Sequence, residues 1–95
     1  MKNREIIDHL VKNNDPRFNL LKAAEELQEL ALALTQKITK EDKYDDQKII
    51  DELGDVKIRM RVLYKIFDKT KTKERVNYKL GKFQGYIENK SYKNI

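Results

Sequence analysis

The chain has no cysteine, a single proline and only three glycines. Without cysteine, neither a disulfide nor a thiolate metal site can staple the fold, so zinc-finger architectures are excluded and nothing calls for an oxidising compartment. Scarce glycine and proline, with only short β-branched runs, leave few turn or strand signals and favour helices. Long apolar runs are missing too. The opening MKNREIIDHLVKNNDP lacks the apolar stretch of a signal peptide, and no segment approaches the ~18 apolar residues of a membrane span. A cytoplasmic protein with no membrane partner is the expectation. No glycine loop of the Walker type is present to cradle phosphates. Covalent catalysis has little to work with: the lone serine, Ser91, is in the tail, and the only histidine, His9, reads as a surface residue of a short N-terminal helix.

What remains is a helical pattern. Ninety-five residues make one domain spanning residues 1–95, and a chain of that size buries roughly 65% of its unfolded surface. Helical chains this short often cover their remaining apolar stripes by self-association, so a homo-oligomer is expected. Apolar spacing predicts a first helix from Asn3 to about Lys12 through Ile6, Ile7, Leu10 and Val11. A second, started by Asp15 and Pro16, runs to about Thr39 with Leu20, Ala23, Ala24, Leu27, Leu30, Leu34 and Ile38 as its stripe. TKEDKYDD reads as a connection, with Asp45 or Asp46 capping a third helix that ends near Asp68. That helix is expected to bury Ile49, Ile50, Leu53, Val56, Met60, Leu63 and Phe67. KTKTKE reads as a charged turn, after which Thr72 caps a fourth helix carrying Val76, Leu80, Phe83 and Ile87. Gly81 and Gly85 weaken it by up to ~1 kcal/mol each. Residues 90–95 are expected to fray. The fold class is all-α, an antiparallel bundle of about four helices completed by oligomerisation.

Charge is divided unevenly. Residues 1–56 hold 9 Lys/Arg against 13 Asp/Glu, a net −4, whereas residues 57–95 hold 12 against 3, a net +9. That polarity suits a nucleic-acid surface, and equally an acidic metal site beside cations that hold a phosphorylated substrate.

Two acidic phrases nearly rhyme: EELQEL at residues 25–30 and DELGDV at residues 51–56. Chance alone gives about three acidic pairs at i,i+3 in this composition, and four occur, so spacing by itself decides nothing. Phase says more. At ~100° per residue, Glu26 and Glu29 occupy the same offsets from Leu27 as Glu52 and Asp55 do from Leu53. If the two helices pack through Leu27 and Leu53, two carboxylate ledges converge beside one seam, and Gly54 leaves room there for a close approach. Two such charges ~6 Å apart repel by roughly 3 kcal/mol at an effective dielectric near 20. Lysine could neutralise them, and so could a hard divalent cation, Mg²⁺ above all, which takes oxygen ligands and binds substrate phosphates.

EELQE followed after 22 residues by ELGD resembles the EExxE…ExxD signature of the MazG-like all-α nucleoside triphosphate pyrophosphohydrolases, a group related to the dCTP pyrophosphatases and dimeric dUTPases. The resemblance covers roughly residues 18–68, and the last helix loosely. It implies Mg²⁺-dependent hydrolysis (Mn²⁺ being an alternative ion) of an NTP or dNTP to the monophosphate and pyrophosphate, by dimers or tetramers of helical bundles. It makes Glu26, Glu29, Glu52 and Asp55 the catalytic metal ligands, with Glu25 at the motif's first glutamate although it points away from the other ledge. Where the family is often apolar after the aspartate, this chain continues KIRMRV, with Lys57, Arg59 and Arg61.

Arg59, one turn beyond Asp55, and Lys79 and Lys82, flanking Leu80, are candidates for holding the substrate phosphates; a solvated basic surface is the plainer reading of the same residues. Tyr44, Tyr64, Tyr78 and Tyr86 are candidates for stacking on a base or for packing. The alternative function is a small basic helical nucleic-acid-binding or regulatory protein without catalysis, although neither a helix-turn-helix nor an aromatic-basic stacking motif is evident.

Overall fold

The computed structural model describes residues 1–40 and 45–95. Among the described residues there are four α-helices and no strand: α1 (Asn3–Asn13), α2 (Pro16–Lys40), α3 (Asp46–Ile66) and α4 (Lys69–Glu88), followed by a 3-10 turn at Tyr92–Asn94. Residues 41–44 of the expected connection, Tyr44 included, lie outside the described residues.

Aspartates start three of the helices. Asp15 Oδ1 accepts from the Arg17 amide at 2.7 Å, Asp45 Oδ1 from Gln47 at 2.9 Å and Asp68 Oδ1 from Lys71 at 3.0 Å. Each satisfies an amide that the first helical turn leaves without a partner, a contribution of about 1 kcal/mol. Asp68 also corrects the expected start of α4. KTKTKE is not a turn but the opening of the helix, and Thr72 sits inside it, its hydroxyl donating back to the Asp68 carbonyl at 3.0 Å. Phe67 is the break. Its amide donates to the Leu63 carbonyl at 2.8 Å while its backbone turns extended, so the ring leaves the helix and stands exposed rather than in the core.

Past Asn89 the chain turns instead of continuing as a helix. Lys90 adopts φ 59°, its amide donates to Ile87, and the Ser91 amide donates to the Tyr86 carbonyl at 2.7 Å. This pair of bonds is the Schellman pattern, with lysine at the left-handed position where glycine is usual.

α2 and α3 form the main interface, antiparallel, with Lys37 Nζ of one end 2.7 Å from Asp46 Oδ1 at the start of α3. α1 lies chiefly against α3, where Asp8 meets Lys65 at 3.5 Å and Ile7 is buried. Asn19, fully buried, ties α1 to α2 by donating to the Leu10 carbonyl at 3.2 Å.

The apolar stripes turn inward only in part. Ala23 and Leu30 of α2 and Ile49, Val56, Met60 and Leu63 of α3 are buried or half-buried as the spacing suggests, whereas Leu20, Ala24, Leu34, Ile38 and Ile50 are exposed. α2 turns Asn19, Ala23, Glu26, Leu30 and Ala33 toward the interior, and α3 turns Glu52, Val56 and Val62, while Leu27 and Leu53 remain 43% and 53% exposed. The small side chains of Ala23 and Ala33 admit the neighbouring helix closely, which leucines on that face would not. α4 has no buried residue; it packs on the C-terminal turn, and its first turns border Tyr64.

Candidate metal centre

The rotated packing brings the acidic phrases into the seam itself rather than beside it. Glu26 from the middle of α2 is half-buried, Glu52 from α3 is only 2% exposed, and Asp55 follows one turn later at the open edge. One carboxylate oxygen from each of these three lies within 4.8 Å of the others.

Glu52 has one neutralising partner, Lys48, whose Nζ is 2.6 Å from Oε1. Among the described residues, its second oxygen and Oε2 of Glu26 are buried without a hydrogen-bond partner. Leaving a buried acceptor unsatisfied costs about 1–3 kcal/mol, and more for an ionised group. The arrangement is therefore a concentration of hard oxygen donors with unused lone pairs. Those donors fit Mg²⁺ or Mn²⁺, which prefer carboxylate oxygen.

Glu29 completes the acidic edge from solvent. Its carboxyl is held above the usual 4.5, first by the charge of Glu26 and next by that of Glu52, with some desolvation adding to it, against the opposing pull of Lys48. The folded metal-free protein thus binds a proton at Glu29 more readily than the unfolded chain does. Its contribution to stability is fully present below pH 4.5 and disappears as pH rises through the elevated folded value. Melting curves across weakly acidic pH should therefore show the wild type losing more stability with rising pH than Glu29→Gln does. Parallel pH dependences in the two proteins would rule out that coupling.

The remaining expected residues are placed as follows. Glu25 points off the cluster and pairs with Lys22 at 2.9 Å. Arg59 is half-buried on α3, one turn beyond Asp55. Lys79 and Lys82 lie on α4, which forms no packed interface with α2 in the chain. There Lys79 lies over Phe83 at 5.4 Å, and Lys82 and Arg75 lie over Tyr78 at 5.2 and 5.1 Å, contacts worth about 0.5–1 kcal/mol each when exposed. Among the described residues, nothing beyond the surrounding turns of α3 itself comes within 4 Å of where a Gly54 side chain would begin. Lys48 was not singled out from the sequence, although its i,i+4 spacing to Glu52 was a readable signal.

No protein family, curated protein or solved structure matches this chain. Among the described residues, no helix is long and apolar enough to cross a membrane.

Proposed function

We propose that the chain is a Mg²⁺-dependent nucleoside triphosphate pyrophosphohydrolase of the MazG-like kind. The observation that carries this reading is Glu52: a carboxylate inside the α2–α3 seam, with an unpartnered oxygen, converging with Glu26 and Asp55. A solvated acidic surface does not bury a carboxylate this way.

Glu26, Glu52 and Asp55 would hold the ion, with Glu29 joining from the edge. Bound there, Mg²⁺ would neutralise phosphate charge and lower the pKa of a coordinated water. Glu29, open to solvent, orients the attacking water toward the α-phosphorus and accepts its proton. The new P–O bond forms as the α–β anhydride bond breaks, and pyrophosphate departs with the bridging oxygen. Arg59 and, from a second copy of the chain, Lys79 and Lys82 would bind the charge gathering on the leaving group.

The test is incubation of the purified protein with each common NTP and dNTP in Mg²⁺, with separation of products. Monophosphate and pyrophosphate should appear in equal amounts, and EDTA should stop their formation. No cleavage with Mg²⁺ or Mn²⁺ would overturn the enzyme reading.

One observation favours the nucleic-acid alternative. Arg4, Arg61, Lys65 and Lys69 line a common groove where α1 meets the α3–α4 junction. Binding there would weaken steeply with salt, because counterion release dominates such affinities.

A further inference from the structure

The molecule leaves far more of itself in water than its size requires. Its accessible surface is 7883 Å², whereas a compact chain of 11.4 kDa exposes about 5,800 Å². Its radius of gyration is 16.8 Å, against about 12 Å for a compact domain of this length. The excess, about 2,000 Å² per chain, is in the range that each partner of an obligate dimer buries.

Where the excess lies is specific. α2 carries two heptad-spaced seams offset by one residue. The first, through Asn19, Ala23, Glu26, Leu30 and Ala33, meets α3. The second, Leu20, Ala24, Leu27, Ala31, Leu34 and Ile38, is exposed at every position. Spacing of 4,3,4,3,4 is that of a helix-pairing surface, with alanines forming holes between leucines. α4 carries a matching stripe at spacing 4,3,4: Val76, Leu80 and Ile87 are about half exposed, and Phe83 lies among them.

We infer that α4 is an exchanged arm: in a symmetric dimer, the Val76–Leu80–Phe83–Ile87 stripe of each chain lies in the leucine–alanine seam of α2 of a second copy. Lengths agree, since at 1.5 Å per residue the stripe spans about 17 Å and the seam about 27 Å. Charge agrees as well. α4 holds six basic and two acidic residues, whereas residues 23–36 of α2 hold three glutamates and no basic residue. Pairing α2 with α2 would leave both α4 stripes wet, and pairing α4 with α4 would oppose two cationic helices. The exchange covers both surfaces with one kind of contact. It would also carry Lys79 and Lys82 toward the other chain's carboxylates, as the proposed function asks, but its test does not require catalysis.

The absence of cysteine makes the test clean. Sedimentation of the wild-type protein should give twice the 11.4 kDa chain mass. Ala31→Cys and Leu80→Cys chains, unfolded together, refolded and oxidised, should yield mainly the mixed disulfide, with little product from either variant alone. Leu27→Cys with Phe83→Cys provides a second pair, one turn along the same register in an antiparallel crossing and a heptad away in a parallel one, and circular dichroism confirms that each variant folds. Leu80→Glu/Phe83→Glu should halve the mass while α1–α3 remain helical. A wild-type monomer at micromolar concentration, self-linking of Ala31→Cys in preference to the mixed product, or a dimer that neither pair links would overturn the exchange.

Discussion

Glu52→Gln is expected to lower Mg²⁺-dependent nucleotide hydrolysis by about 10³-fold while leaving the helical circular dichroism unchanged. Glutamine keeps the shape and an oxygen for Lys48, which now meets Glu52 Oε1 at 2.6 Å, but it removes the charge that a divalent ion would use. A loss of activity alone could reflect damage to the seam, so the decisive readout is thermal stability with and without the ion. In metal-free buffer the variant should be at least as stable as the wild type, because Glu52 no longer repels Glu26, Glu29 and Asp55. Saturating Mg²⁺ should raise the wild-type stability by about 2.7 kcal/mol at a hundred times its dissociation constant and should do nothing for the variant. Full retention of turnover, or an equal response to Mg²⁺ in both proteins, would remove Glu52 from the site.

Ile7→Ala should be the most damaging single truncation of the fold. Among the described residues only Ile7, Ala23, Ala33 and Val62 are buried apolar side chains, so little else anchors α1. Ile7 lies against α3 beside Arg61, Tyr64 and Ile58, and truncating a buried isoleucine costs about 2–5 kcal/mol. A chain of this length has a total stability of about 5–14 kcal/mol. The melting temperature should fall by about 10 °C or more, measured at one fixed protein concentration because self-association shifts it. A change of only a few degrees would mean that α1 is held by its polar links, Asn19 to the Leu10 carbonyl and Asp8 to Lys65.

The helices were legible because their signals are local: Asp15 before Pro16, Asp45 before α3, and apolar residues at helical spacing. The start of α4 was misplaced because both Asp68 and Thr72 are good caps, and the aspartate, just after the break at Phe67, takes the role. The inward face of α2 could not be read from hydrophobicity. Leu20, Leu27 and Leu34 outweigh Ala23 and Ala33 on any apolar scale, yet close approach of α3 favours the small side chains. The motif spacing points to the carboxylates, and Glu26, Glu52 and Asp55 do come together, although not through the Leu27–Leu53 packing on which the phase argument rests. Their burial was not foreseen, since it follows from that same rotation of α2.

The one-residue offset between the two seams of α2 makes the helix sensitive to length in a way that substitutions do not reveal. Deletion of a single residue near its start would turn everything downstream by about 100° relative to α1. The leucine–alanine seam would then point where Glu26 now meets Glu52, and the glutamates would face outward. Conservative exchanges along α2 alter one contact at a time, whereas the loss of one codon would trade the inside of the molecule for its outside.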